Sequence, residues 1–138
     1  MILLDAYALV AFLVGGPASI EVRQILREGD GAVATVNLAE ALDVAQRVYE
    51  VSIPRAWEVL DPLFGDVLQA VPLDTEVAGR AAEIRARHYH RKSRPISLAD
   101  AVLLASTGAD DRLATADPDV LAVAEAEKIP TTALPGQA

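Results

Sequence analysis

Short apolar runs and helical segments alternate along this chain with almost no spacer between them. Apolar residues at strand spacing or in short runs mark residues 2–4, 32–36, 67–71 and 112–116, with a short last strand over 129–132. Helical spacing marks residues 8–14, 17–27, 38–49, 74–89 and 98–107, and further helices open at Pro54 and Pro118. Gly15-Gly16-Pro17 and Gly29-Asp30-Gly31 punctuate the first two helices. Strands separated by helices cannot pair as hairpins, so they must lie parallel, with helices covering both faces of the sheet. The expectation is a three-layer α/β/α domain over residues 1–134, with a central parallel sheet of four to five strands. Only Pro135-Gly136-Gln137-Ala138 reads as a flexible tail.

At 138 residues the chain is long enough for one domain with a real core, and its 52 % hydrophobic content opposes disorder. The absence of cysteine excludes disulfides, zinc–thiolate sites and cysteine nucleophiles. It also suits a reducing cytoplasm. The N-terminal Met1-Ile2-Leu3-Leu4-Asp5 lacks the basic flank and length of a signal peptide. No apolar run approaches the roughly 18 residues of a membrane span.

The alternation gives four acids a common address. Asp5 and Asp117 follow expected strands, while Glu40 and Asp100 stand one helical turn inside helices that follow strands or loops. Each has a local explanation. Asp5 and Asp117 can cap the helices they precede, the latter with Pro118 in first position. Asn37-Leu38-Ala39-Glu40 and Ser97-Leu98-Ala99-Asp100 have capping-box spacing. Capping, however, predicts no clustering in space. Loops at the carboxyl ends of parallel strands do converge on one crevice. Two carboxylates about 4 Å apart repel by about 4 kcal/mol at an effective dielectric near 20. Four together call for raised pKa values or a cation, and an all-oxygen donor set suits Mg²⁺ or Mn²⁺ better than zinc.

Leu3-Leu4-Asp5-Ala6-Tyr7-Ala8-Leu9, Val36-Asn37-Leu38-Ala39-Glu40, Ser97-Leu98-Ala99-Asp100-Ala101 and Thr115-Ala116-Asp117-Pro118-Asp119 resemble the four acidic motifs of PIN domains, in order and at fitting intervals. Length and spacing are most similar to the VapC-type toxins of type II toxin–antitoxin pairs. The resemblance implies a Mg²⁺- or Mn²⁺-dependent endoribonuclease, found in the cytoplasm, inhibited by a cognate antitoxin and forming a homodimer. Asp5, Glu40, Asp100 and Asp117 would form the acidic quartet that carries metal and catalysis, with Asp119 an auxiliary metal ligand. The metal would lower the pKa of a water for in-line attack on an RNA phosphodiester. Thr115 matches a small hydroxyl residue that orients a carboxylate or water, and Ser97 can serve likewise or act as a plain helix cap. Tyr7 departs from the pattern, since the family often carries a small hydroxyl residue shortly after the first acid.

Against a net charge of −8, residues 80–94 hold Arg80, Arg85, Arg87, Arg91, Lys92 and Arg94 with Glu83 as the only acid. Such a strip is either a solvated helix end answering the macrodipole or a phosphate-binding surface. Arg87, Arg91, Lys92 and Arg94 are its candidate RNA contacts, and His88 and His90 are expected to be solvent-exposed. Val44, Val48, Val51, Trp57, Leu60, Leu63 and Phe64 form an apolar helical pair, read as core or, by the resemblance, as an antitoxin groove or dimer contact. A phosphoacceptor receiver domain would want a second acid beside Asp5 and a lysine after a late strand; Lys128 instead precedes the last one. The remaining alternative is a non-catalytic PIN-like module that binds RNA or protein.

Overall fold

Among the described residues, five strands form one sheet in the order β3-β2-β1-β4-β5, and every neighbouring pair is parallel. A computed structural model describes residues 1–136. β1 (Ile2–Leu4) leads into α1 (Ala6–Val14) and α2 (Ser19–Arg27). β2 (Gly31–Ala34) is followed by α3 (Thr35–Tyr49), α4 (Ile53–Leu60) and a single 3₁₀ turn, Asp61–Leu63. After β3 (Leu68–Val71) come α5 (Thr75–His88) and α6 (Leu98–Ser106), and β4 (Arg112–Thr115), α7 (Pro118–Ala126) and β5 (Thr131–Ala133) complete the domain. Among the described residues, no single helix is long and apolar enough to cross a membrane.

The three layers follow from strand periodicity. Successive side chains of a strand point to opposite faces. Leu4, Val33 and Ala114 therefore join one core with α1, α2, α3 and α4, while Leu3, Ala32 and Leu113 join a second with α5, α6 and α7. Leu9 on the first face and Leu103 and Leu104 on the second are at most 1 % exposed. Truncating any of them to alanine should cost about 2–5 kcal/mol. The central strands are apolar on both faces, which is why they read as continuous runs and not as alternations.

The second strand differs from expectation at both ends. It begins at Gly31 and ends at Ala34, and Thr35 and Val36 are already helical. Its partner β3 ends at Val71, ahead of Pro72, so no ladder is available to hold residues 35 and 36 extended. Instead the Leu73 amide donates to Thr35 Oγ1 at 3.3 Å, next to the new helix start. Gly31 is needed at the other end: a Cβ there would stand 2.8 Å from Leu26 Cδ2 and 3.1 Å from the Val67 carbonyl. The expected tail is described only in part. The Leu134 amide donates to the Thr115 carbonyl at 2.8 Å, and the Pro135 carbonyl accepts from the Tyr7 hydroxyl at 2.6 Å. Residues 137 and 138 lie outside the described residues.

The chain leaves β1 to build β2 and β3 on one side, then crosses to build β4 and β5 on the other. Strand order thus reverses between β1 and β4. In open parallel sheets the crevice beyond the carboxyl ends of two such strands is where ligands bind.

Candidate metal centre

Asp5 and Asp117 stand at that reversal, one at the end of β1 and the other two residues past β4. Asp5 caps α1, with Oδ1 accepting from the Ala8 amide at 2.8 Å. Its Oδ2 accepts from Thr115 Oγ1 at 2.6 Å, across the β1–β4 boundary. Thr115 is fully buried, and its oxygen also accepts from the Asp117 amide at 3.1 Å. One hydroxyl therefore links the first acid to the backbone of the fourth. Asp117 caps α7 by accepting from the amides of Asp119 and Val120 at 2.8 and 3.4 Å.

Ser97 and Asp100 form a complete capping box on α6: the Asp100 amide donates to Ser97 Oγ at 3.0 Å and the Ser97 amide to Asp100 Oδ2 at 2.9 Å. The matching expectation for α3 is wrong. Asn37 lies inside the helix and is buried, the cap position belongs to Ala34, and Glu40 sits in the second turn. The helix starts earlier than expected because β2 loses its partner at Ala34. Glu40 then faces α6 instead of its own helix terminus, close enough to Asp100 to feel its charge.

All four acids line one open cavity of about 530 Å³, together with Tyr7, Asn37 and Asp119. Burial pushes the Asp5 carboxyl up to about 6, against the lowering effect of the Thr115 and Ala8 hydrogen bonds, and the charges of Asp100 and Asp117 push it the same way. Burial also raises the Asp100 carboxyl, countered by its bonds to Ser97 and assisted by Asp117 and Asp119. Glu40 is raised by burial, then by Asp100 and Asp43. None of these acids, nor Asp119, has a basic ion-pair partner among the described residues.

The residues fit a hard divalent cation. Every charged donor is a carboxylate, and Asn37 adds a buried Oδ1 that has no hydrogen-bond partner. Among the described residues, no three Asp, Glu or His side chains stand close enough to close around one ion. Mutual repulsion keeps uncompensated carboxylates apart, and Mg²⁺ commonly takes one or two carboxylates and fills its remaining positions with water.

The basic strip is a different matter. Arg87, Arg91, Lys92 and Arg94 do not line the acidic cavity. Arg87 is held by Glu127, with Nε and Nη2 at 3.3 and 2.9 Å from its oxygens. His88 is not the solvent-exposed residue expected from sequence: its ring nitrogen lies 2.6 Å from Glu127, and the side chain is only 16 % exposed. Arg85 donates to the Ile96 carbonyl, and Arg94 is half-buried in the loop bridged to His90. The apolar helical pair is divided too. Leu60 is fully buried and Val44, Val51, Leu63 and Phe64 pack on the core, whereas Val48 and Trp57 remain exposed.

The sequence matches the PIN domain family over residues 2–126. This chain is a PIN domain. No curated protein sequence matches it significantly. Among solved structures, a DNA-bound VapBC from Salmonella typhimurium aligns with TM-score 0.71 and 19 % identity, over 96 % of each chain. VapBC2 from Rickettsia felis, bound to a promoter DNA fragment, aligns at 0.69 and 14 % identity over 98 % of this chain and 100 % of that one. FitAcB from Neisseria gonorrhoeae aligns at 0.65 and 26 % identity, over 95 % of this chain and 96 % of that one. Within this PIN domain, Asn37 and Tyr7 are polar residues lining the cavity that the sequence reading did not place in the site. The signal for Asn37 was available: an amide three residues before Glu40 shares its helix face.

Proposed function

We propose that this PIN domain is a Mg²⁺- or Mn²⁺-dependent endoribonuclease that acts in the cytoplasm as the toxin of a toxin–antitoxin pair. The observation that carries the reading is the convergence of Asp5, Glu40, Asp100 and Asp117 on one cavity at the strand-order reversal, without a basic partner. Asp5, Glu40, Asp100 and Asp117 would hold the cation between them, one or two directly and the others through its waters, with Asp119 beside them. A cation bound there supplies Lewis acidity, making water more acidic and offsetting charge on the phosphate being attacked. Thr115 and the Ala8 amide each bond one oxygen of Asp5, so the carboxylate is oriented before any ligand arrives.

A protein partner is supported separately. Tyr7, Val10, Val44 and Tyr49 line an apolar groove of about 260 Å³ that shares Ala6, Tyr7 and Glu40 with the acidic cavity. A cognate antitoxin seated there would cover the acids. The VapBC complexes of similar fold make an antitoxin the expected occupant. Exposed Ile53, Trp57 and Val59 on α4 are the corresponding candidates for a homodimer contact.

The test is cleavage of RNA by the purified chain in Mg²⁺, Mn²⁺ or EDTA, beside a folded Asp5→Asn variant. Cleavage should need the metal and vanish in the variant. Activity that survives EDTA, or survives Asp5→Asn, removes the metal mechanism. A chain that binds RNA or antitoxin but cuts nothing under any condition would be a non-catalytic binding module.

A further inference from the structure

Asn37 is 1 % exposed yet lines the acidic cavity, and no local capping role explains it. It precedes Glu40 by three residues on α3, so the two side chains share a helix face. Its Nδ2 lies 3.4 Å from the carbonyl of Ala99, the residue before Asp100. A carbonyl can only accept, so the NH₂ end of the amide must face Ala99. Oδ1 is then turned the other way, and it is a buried acceptor with no partner among the described residues. An unpaired buried acceptor is costly, and an apolar side chain at this position would not carry that cost. A ligand that completes Oδ1 accounts for the asparagine. Being neutral, an amide at the wall of the cavity adds nothing to the repulsion among Asp5, Glu40, Asp100 and Asp117.

We infer that Asn37 is a positioning residue of the acidic site: its Oδ1 accepts a hydrogen bond from a water carried by the divalent cation, while its Nδ2 ties α3 to the first turn of α6 and so sets Glu40 against Asp100. This rests on the metal-dependent reading above. Mg²⁺ and Mn²⁺ sites that use few direct carboxylates leave such waters to be oriented by the protein.

The experiment measures Mn²⁺ binding to the full chain without RNA, by calorimetry or by electron paramagnetic resonance of the free ion, together with thermal melts in EDTA and in Mn²⁺. Asn37→Leu keeps the branching and the number of heavy atoms and deletes both polar ends. It should weaken Mn²⁺ binding roughly 10- to 100-fold, the range typical of lost outer-shell partners. Its melting temperature in EDTA should stay level or rise, because the unpaired acceptor is gone. The stabilisation gained on adding Mn²⁺ should shrink. Asn37→Ala is the second variant; it leaves a void but should show the same loss of Mn²⁺ affinity, and it carries the measurement if Asn37→Leu does not fold. Mn²⁺ affinity equal to wild type in the folded variants overturns the proposal, as does a melting temperature lowered equally in EDTA and Mn²⁺ at unchanged affinity. A wild-type chain that binds no Mn²⁺ overturns the metal reading along with it. Intact wild-type binding with unaffected variants overturns the role of Asn37 alone.

Discussion

The acidic cavity and the basic strip are both dense in charge, but they use it in opposite ways. In the strip, Arg80 bonds Glu76 and the Ala105 carbonyl at 2.8 Å each, Arg85 bonds the Ile96 carbonyl and lies 4.3 Å over the Tyr89 ring, and Arg87 and His88 share Glu127. Half of its six cations, Arg80, Arg85 and Arg87, are engaged within the fold, where they fasten α5 to α6 and to the end of α7. In the cavity, Asp5, Glu40, Asp100 and Asp117 take hydrogen bonds from backbone amides and from the hydroxyls of Thr115 and Ser97, or none, and no basic side chain among the described residues pairs with them. Charge satisfied inside a protein is architecture. Charge gathered, partly buried and left unbalanced stores repulsion that a ligand can relieve, and that is the mark of a site.

The sharpest way to break this contrast is Asp5→Asn. It should lower RNA cleavage roughly a hundredfold or more, while raising the melting temperature in EDTA because a buried charge is removed. A variant that melts lower than wild type in EDTA would show Asp5 to be architectural after all. Next in size is the pH response of the metal-free chain. Burial raises Asp5 to about 6, above its value in the unfolded chain, so the folded state binds the extra proton and stability falls as pH rises through about 4 to 6. The loss should approach about 3 kcal/mol at neutral pH. It should appear in melts as a pH-dependent gap between wild type and Asp5→Asn, and Mn²⁺ should close that gap above pH 6.

Thr115→Val tests the hydroxyl link. Losing the donor to Asp5 Oδ2 should push that carboxyl up further and weaken Mn²⁺ binding about tenfold, to be read by calorimetry at pH 7. Glu127→Gln probes the other region. It should lower the melting temperature by a few degrees through the lost Arg87 and His88 contacts and leave cleavage at wild-type rates; a large drop in activity would mean that the strip is coupled to the site. The smallest effect belongs to Arg91→Ala with Lys92→Ala, whose side chains have no ion-pair partner among the described residues. Cleavage rate should hold, while the salt dependence of RNA binding flattens by about 1.4 in log–log slope, from about 0.7 per lost phosphate contact. An unchanged slope would make even these two charges part of a solvated surface.

How far the site was legible depends on which interactions are local. Ser97 and Asp100 cap each other within four residues, and Asp5 and Asp117 bond amides two or three residues ahead, so their addresses could be read along the chain. Glu40 was given the right neighbourhood by the wrong local reason, because the end of β3 decides where α3 begins. His88 was misjudged since its partner Glu127 lies 39 positions away, on the far side of β4 and α7. The pairing of Arg87 with the same Glu127, 40 positions away, was equally beyond local reading. Tyr7 looked like a departure from a motif; in the fold its hydroxyl holds the Pro135 carbonyl beside the cavity.

By itself the sequence determined the alternation, the parallel sheet and the cap-bound acids, because hydrophobic period and helix capping act over a few residues. Tertiary structure alone decided that the order reverses between β1 and β4, that Thr115 reaches Asp5 across 110 positions, and that Asn37 is buried with an unmatched oxygen. Those outcomes depend on strand register and helix packing, in which each position is set by contacts with residues far away in the chain. The acids' identity is local; their proximity, and therefore their pKa values and any affinity for a cation, is a property of the fold.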